Sequence, residues 1–573
     1  MSSSQKTGYP SIDKPWMKYY NETVINAPLP KCTMYDYLRN NNLGYESRIA
    51  FNYFDNKITY RTLFENILQA AKAFVAVGIK QGDIVTICSV STPETFYAFY
   101  ALNYLGAVSN MIDPRTSVEG IREYILEAKS KIVLCIDKAL QKIAEAVRGT
   151  AVKELVALSP ADSLGQPKKL LYNLFNSQKH PSTMRCVNWD GFICAGKGYA
   201  AQKAPYYEDT CCVIVHTGGT TGSPKGVMLT NDNLNCGAHQ CLNSNFDLKR
   251  HHKWLNIMPP FIAYGIGNGL HLPLVCGQEV ILIPKFNPQK YDELLLKYHP
   301  QHMVGVPSHY EGIVFSKKIG SSDLADLISP VVGGDSMKAD LENNVNSYLH
   351  KHGCKHNVIK GYGLTEVNAA VAASATEETN VIGSVGIPLP HSTISIFDPN
   401  TGKELTYGQQ GEVCITGPNT MLGYLNNEVA TAEILRTHED GRIWVHSGDL
   451  GHMDKNGFLF IDGRIKRMII RHDGFKVFPP AIEQVIESHH AVKACCVVGV
   501  QDPNHDHGKL PAAYIILKQN LTESVHTISE ELCTLCEKAL AEYAKPVRFE
   551  FTTEFPLTPI GKVDYRALEE MAK

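Results

Sequence analysis

Apolar residues in this chain follow two rhythms, and the alternation between them predicts the architecture. In "YRTLFENILQAAKAFVAVGI", Leu63, Ile67, Ala71, Phe74 and Val75 recur at helical spacing and share one face. "DIVTICSV" is a short continuous apolar run, the mark of a buried strand. "TPETFYAFYALNYLGAV" opens with Thr92 at an N-cap position and Pro93 in the first turn, so a second helix is expected there. "KIVLCID" supplies the next strand. Helices and strands alternating from about residue 57 imply α/β layers with a largely parallel sheet. The stretch 155–208 breaks the rhythm: polar and irregular, with "SLGQPKK" and "NSQKHPS", it reads as a surface excursion. Near residue 463 the pattern changes again. "FLFIDGRIKRMIIRHDGFKVFPPAIEQVI" reads as a hairpin and then a helix, and the last ~110 residues, this segment included, as β-α-β-β-α, enough for one small domain.

A chain of 573 residues exceeds one typical domain, so several structural units are expected. Hydrophobic residues at 44% and charged residues at 20% are ordinary for a globular protein, and a net charge of −3 gives no electrostatic basis for nucleic acid or an anionic membrane. The polar start "MSSSQKTGYPSIDKP" lacks a signal core, and no apolar run reaches membrane-spanning length; a cytoplasmic protein with no transmembrane segment is expected. The sixteen cysteines are scattered through strand-like and helical stretches, so they read as reduced thiols, including the Cys533/Cys536 pair in "SEELCTLCEKALAEY". His505, Asp506 and His507 in "QDPNHDHGK" read as a solvated loop between strands and not as a metal site.

The densest chemistry lies in "TGGTTGSPKG", residues 217–226. Gly218, Gly219 and Gly222 free the backbone to bring N–H groups against an anion, while Thr217, Thr220, Thr221 and Ser223 add hydroxyls and Lys225 a compact positive charge. It is not a P-loop, since Pro224 stands where that motif needs glycine and Gly226 follows the lysine. The strand-like "CCVIVHT" before it suits a phosphate cradle, although composition alone leaves a flexible structural loop open. "GYGLTE" (361–366) is no dinucleotide fingerprint, because Glu366 holds the place of the third glycine. "GEVCITGPNTMLGY" alternates like a strand and ends in a turn; "WVHSGDLG" carries Asp449 in a tight Ser-Gly-Asp turn; "GRIKR" holds Arg464 and Lys466; "PLTPIGKVDYRAL" sets Lys562 in a loop bounded by proline and glycine. Singly, each is no more than a turn.

In this order and at these separations the set resembles the adenylate-forming superfamily of acyl-CoA synthetases, peptide-synthetase adenylation domains and beetle luciferases, from about residue 33 to residue 570. The resemblance implies an α/β fold with a large multi-layer N-terminal domain of mixed sheets and helices and a small mobile α+β C-terminal domain. It divides the chain into an extension at 1–32, an adenylation domain at 33–465 and a lid at 466–573. It further implies ATP, Mg²⁺ and CoA as cofactors. Thr217, Thr220, Thr221, Lys225 and the amides of Gly218, Gly219 and Gly222 would hold pyrophosphate oxygens. Thr365 would touch the α-phosphate and Glu366 would hold Mg²⁺. Tyr362 would stack on adenine beside Gly333, Gly334 and Asp335 of "VVGGDS"; Asp449 would accept both ribose hydroxyls and Arg464 would reach the ribose and phosphates. Lys562 would bridge the carboxylate and the α-phosphate, Lys466 would be the pivot of lid rotation, and Gly474 would line the thiol channel.

Three positions depart from the family pattern: Ile262 where histidine or an aromatic is common, Lys360 where a neutral amide is frequent, and Ile470 where lysine is frequent. "PPFIAYGIGNG" lacks the aspartate by which peptide-synthetase domains anchor an amino group, and it is apolar and small-residue-rich, while "KPWMKYYNETVINAPLPKCTMYDYL" resembles the start of bacterial long-chain fatty acyl-CoA ligases. A CoA ligase for a fatty or other hydrophobic carboxylic acid is therefore expected. The alternatives are a freestanding ligase that loads an acyl-carrier protein, a luciferase-type oxidative enzyme, and a non-catalytic scaffold that retains the fold.

Overall fold

The computed structural model describes residues 6–175, 184–217, 225–473, 475–505, 507–519, 521–557 and 563–572. Thr59 accepts a hydrogen bond from the Thr62 N–H at 3.2 Å and starts the helix Tyr60–Ala76, whose Leu63, Ile67, Ala71 and Phe74 are buried as their spacing predicts. The next helix, Pro93–Tyr104, is capped by Thr92, which accepts from the Thr95 N–H at 3.3 Å. It is buried on almost every side, because two sheets sandwich it together with Tyr60–Ala76.

Among the described residues one of these sheets has eight strands. Gly226–Thr230, Cys211–His216, Val108–Met111, Ile84–Cys88, Ile132–Ile136, Glu154–Leu158 and Arg185–Asn188 lie side by side in that order, with Gly423–Tyr424 on the outer edge of the first. From Cys211–His216 to Arg185–Asn188 all neighbours are parallel. The other is nine-stranded among the described residues, with a parallel centre that includes Lys253–Asn256, His302–Gly305, Ser329–Val332 and Ile359–Tyr362. Phe51 from one sheet and Val85, Ile87 and Val213 from the other join a single core with the helices between them. An antiparallel sheet built on Gly411–Thr416, Ile443–Met453 and Leu459–Arg464 comes next along the chain.

Beyond it the hairpin Ile469–Ile470 with Lys476–Val477, the helices Pro479–Glu487 and Val525–Ala539, and the strands Val492–Gln501, Lys509–Leu517 and Phe549–Phe551 form the smaller C-terminal unit with its own core. It carries one strand and one helix, Phe549–Phe551 and Tyr565–Met571, beyond the β-α-β-β-α pattern that the sequence suggested. The large α/β unit with its smaller α+β companion is the predicted fold class.

The stretch 155–208 is only in part a surface excursion. It contributes the buried strand Glu154–Leu158 and the strand Arg185–Asn188 to the eight-stranded sheet, and it holds two helices, Lys168–Phe175 and Trp189–Ala195. Phe192 packs edge-on against Phe74 at 5.0 Å, and Gly196 lies so close to the first helix that a Cβ there would sit 2.5 Å from Ala73 N. These elements are too short to show a period, so their polar connections dominate the sequence pattern. The sixteen cysteines carry free thiols. Among the described residues no helix is long and apolar enough to cross a membrane.

Candidate active site

Cys211–His216 and Gly226–Thr230 form an antiparallel hairpin, with His216 opposite Gly226. Its stem is closed twice: the Thr217 N–H donates to Lys225 O at 3.0 Å, and the Lys225 N–H donates to Thr217 Oγ1 at 3.2 Å. Gly218, Gly219, Thr220, Thr221 and Gly222 lie outside the described residues. His216 stacks on Tyr124 at 3.9 Å, and its Nε2 lies 2.7 Å from Asn110 Oδ1. Burial pushes this imidazole down to about 4, so it stays neutral beside the loop at physiological pH.

The loop lysine is tied to the "GYGLTE" segment by one residue that sequence reasoning did not select. Gly423–Tyr424 pairs with Gly226–Thr230, which sets Tyr424 against the hairpin. Lys225 Nζ lies over the Tyr424 ring, 4.8 Å from its centroid, and the Tyr424 hydroxyl donates to Glu366 Oε1 at 2.6 Å. Glu366 sits with Thr365 in the one-turn helix Thr365–Val367, and its carbonyl accepts the Met421 N–H at 2.9 Å. Burial, and then the Glu366 charge, push the Tyr424 phenol far above its ordinary value, so it remains a donor.

A second cluster forms where Ile359–Tyr362 meets the antiparallel sheet. The Tyr362 hydroxyl donates to Asp449 Oδ2 at 2.7 Å, Arg464 Nε lies 2.6 Å from Asp449 Oδ1, and the Asp449 N–H donates to Ser447 Oγ at 3.0 Å. Asp449 is buried while Arg464 is exposed, so the aspartate is the fixed partner. It does not lie in a free turn. Ser447, Gly448 and Asp449 form a bulge within the strand Ile443–Met453, where the pairing steps from Cys414↔His446 to Glu412↔Leu450. Gly448 has φ +68, the left-handed conformation that such a bulge requires.

The bulge is held from below by Glu412, another residue the sequence did not mark. One carboxylate oxygen accepts the Gly448 N–H at 3.0 Å and the other lies 2.7 Å from His446 Nδ1. Burial alone would raise the Glu412 carboxyl, but His446 and the Gly448 N–H hold it below the usual carboxylate range. Nothing local could have revealed this contact, since Glu412 and His446 are far apart in the chain.

The Gly333–Asp335 loop follows the strand beside Ile359–Tyr362. The Gly333 N–H donates to Gly305 O at 3.1 Å, and a Cβ on Gly333 would lie 3.4 Å from Gly361 O. Gly334 has φ +78, and the exposed Asp335 accepts the Ser336 N–H at 2.8 Å. Thr217, Lys225, Gly333, Gly334, Asp335, Tyr362, Thr365 and Glu366 thus sit at strand ends or in the loops that leave them, where open α/β sheets bind ligands. Lys466 is exposed in the short helical turn Ile465–Arg467 that follows Arg464. Gly474 and Lys562 lie outside the described residues.

The three departures are placed as well. Lys360 is 4% exposed and pairs with the fully buried Glu342, and its Nζ donates to Val381 O at 2.9 Å. Its charge is consumed inside the fold. Ile262 heads the helix Ala263–Ile266 and packs partly buried against both large cores, and Gly265 admits no side chain, since a Cβ would lie 1.8 Å from Pro259 O. Ile470 is exposed.

The AMP-binding enzyme family model matches residues 38–425, and the AMP-binding enzyme C-terminal domain model matches residues 481–562. A long-chain-fatty-acid–CoA ligase of Bacillus subtilis (strain 168) is 28% identical over 97% of this chain and 98% of its own. A probable 4-coumarate–CoA ligase 1 of Dictyostelium discoideum is 29% identical over 84% of this chain and 83% of its own. The crystal structure of ATP-bound MatB from Rhodopseudomonas palustris superposes with a TM-score of 0.81 at 24% identity, covering 95% of this chain and 99% of that one, a likeness of fold.

Proposed function

This chain belongs to the AMP-binding enzyme family, on its acyl-CoA ligase branch, and on that premise we propose that it joins a hydrophobic carboxylic acid to CoA through an acyl-adenylate. In the first half-reaction a carboxylate oxygen attacks the α-phosphorus of ATP, and the bond to pyrophosphate breaks. In the second, the CoA thiol gives up its proton, its sulfur attacks the acyl carbon, and AMP leaves. Two anions must meet in the first step, so positive charge and donors matter more there than a general base.

The observation that carries the reading is the pair of clusters at the strand ends: Lys225–Tyr424–Glu366 and Tyr362–Asp449–Arg464. Thr217, Thr220, Thr221, Lys225 and the amides of Gly218, Gly219 and Gly222 would hold the pyrophosphate oxygens, and Thr365 the α-phosphate. The donors near Glu366 fit Mg²⁺, which takes carboxylate and phosphate oxygens. The carboxylate is buried, and its Oε1 takes a hydrogen bond from the Tyr424 hydroxyl and not from a cationic side chain. Glu366 would hold the ion, and the ion would neutralise phosphate charge.

Gly333, Gly334, Asp335 and Tyr362 would line the adenine site, and Arg464 would reach the ribose and phosphates. Asp449, fixed between the Tyr362 hydroxyl and Arg464, would accept the ribose hydroxyls. Lys562 would bridge carboxylate and α-phosphate in the first step. Rotation of residues 466–573 about Lys466 would then open the cleft to the thiol past Gly474.

The apolar segment around Ile262 and Ile266 favours a fatty or aryl acid over a polar one. The test is ATP–pyrophosphate exchange over a panel of fatty, aryl and amino acids, then thiol consumption with CoA. Exchange driven by hydrophobic acids and thioester formation with CoA are expected. Protein that binds ATP yet exchanges with no acid of the panel would overturn the reading. Acyl transfer to a carrier protein but not to CoA would overturn the acceptor.

A further inference from the structure

The loop that joins Val492–Gln501 to Lys509–Leu517 is where the sequence placed it, but it is not simply solvated. It lies against the turn of the Ile469–Ile470 hairpin so closely that a Cβ on Gly508, at φ +91, would be 2.2 Å from His472 N. At this contact Asp502 is buried, its side chain 2% exposed. Its Oδ1 accepts the Asn504 N–H at 3.0 Å, which fixes the carboxylate. Its Oδ2 faces two imidazoles at once, 2.9 Å from His472 Nδ1 and 2.9 Å from His505 Nδ1.

The two rings stack in parallel, 3.3 Å between centroids and 9° between planes, with both Nδ1 atoms turned to the same oxygen. The three ligand atoms lie within 4.8 Å of one another.

Two imidazole nitrogens gathered around one carboxylate oxygen make a donor set for a transition metal. Mg²⁺ and Ca²⁺ prefer oxygen throughout, whereas Zn²⁺ and its neighbours take histidine with carboxylate and keep a further position for water. Two other groups of possible ligands among the described residues are weaker. Glu412, Cys414 and His446 bring one imidazole only, and its Nε2 lies 2.9 Å from His438 Nε2. His489, His490 and Glu531 are more open to solvent, and there the two histidines face different carboxylates, Glu531 and Glu523.

We propose that His472, Asp502 and His505 form a binding site for one divalent transition-metal ion of the zinc class, which clamps the hairpin turn to the neighbouring loop. The site rests on its own geometry and not on the reaction proposed above.

The test uses full-length protein stripped with a chelator and kept free of nucleotide, titrated with ZnCl₂ by calorimetry and with CoCl₂ by visible absorption. One equivalent of Zn²⁺ is expected to bind and to raise the melting temperature, and Co²⁺ to give d–d bands. His505 is 40% exposed, so His505→Ala is the decisive variant. It should weaken Zn²⁺ by at least about tenfold and abolish the thermal shift. Asp502→Asn should do the same, and its metal-free melting curve checks its folding. The double variant His489→Ala/His490→Ala should bind like the unaltered protein. The proposal is overturned if the unaltered protein binds no Zn²⁺, if His505→Ala binds it equally well, or if the His489/His490 variant removes the bound equivalent.

Discussion

A buried carboxylate organises its surroundings only while it is charged and its donors stay in place. Asp449 is such a group: it takes the Tyr362 hydroxyl on one oxygen and Arg464 on the other. Truncation to alanine would strand the Tyr362 hydroxyl as well as remove the contact to nucleotide, so the cleaner substitution is Asp449→Asn. It keeps shape and one acceptor oxygen but removes the charge, and hydrogen bonds to charged groups contribute about 1.5–3 kcal/mol. We expect ATP affinity to fall by about tenfold to a hundredfold, measured by calorimetry on protein whose melting temperature is checked first. An unchanged dissociation constant would remove Asp449 from the nucleotide site. Asp449 was legible because its motif is contiguous. Tyr424, which links Lys225 to Glu366, and Glu412, which holds the bulge, were not; their partners lie far along the chain, and no local spacing encodes such contacts.

Periodicity exposed the elements whose faces are apolar over several turns, and it failed where an element is short or a residue's role depends on its neighbours. The helix Tyr60–Ala76 and the strands Ile84–Cys88 and Ile132–Ile136 were readable for their apolar runs, while Arg185–Asn188 was lost for its shortness. The Asp449 segment was placed in a turn because Ser-Gly-Asp is turn-like, yet neighbouring strands absorb it as a bulge. Lys360 is the sharpest case. In the sequence it stands out only as a lysine where a neutral amide is frequent, but the strand Ile359–Tyr362 directs its amine to Glu342, which also accepts the Gly383 N–H at 3.0 Å. Burial pushes the Lys360 ammonium below its ordinary value despite that partner, so the pair's net contribution is modest while the loss of one member is severe. We expect Lys360→Ala to lose about 3–5 kcal/mol of stability, because Glu342 would be left as an uncompensated buried charge. Replacing both with methionine should restore most of it. Urea midpoints measure the loss, and ATP affinity of the folded single variant should not move. A Lys360→Ala protein as stable as its parent, or one that folds and no longer binds ATP, would contradict this placement.

The rotation proposed for the smaller unit would be set by where each unit holds the chain that joins them. Arg464 is clamped to the antiparallel sheet, Nε to Asp449 at 2.6 Å and Nη1 to Ser447 O at 3.3 Å. Arg467 is clamped to the C-terminal unit: its guanidinium lies 3.8 Å over the Tyr565 ring, pairs with Glu483, and donates to Val497 O at 3.2 Å. Ile465 and Lys466 alone separate these anchors. A rotation that left both clamps intact would place its backbone change on those two residues, as hinges confine large φ/ψ changes to a few positions. The Lys338–Glu487 pair also joins the units, but its lysine is 61% exposed, and an ion pair of that kind restrains motion weakly. Lys466→Pro fixes φ near about −65° and should restrict the swivel without touching either clamp. Under the proposed two-step reaction, acyl-adenylate should still form at close to the parent rate while transfer to thiol slows by about tenfold or more. Lys466→Ala, which leaves φ free, should perturb neither step to that degree. Pyrophosphate release reports the first step, and CoA consumption from supplied adenylate reports the second. If Lys466→Pro slows both equally in well-folded protein, or slows neither, the hinge does not lie between the two arginine clamps.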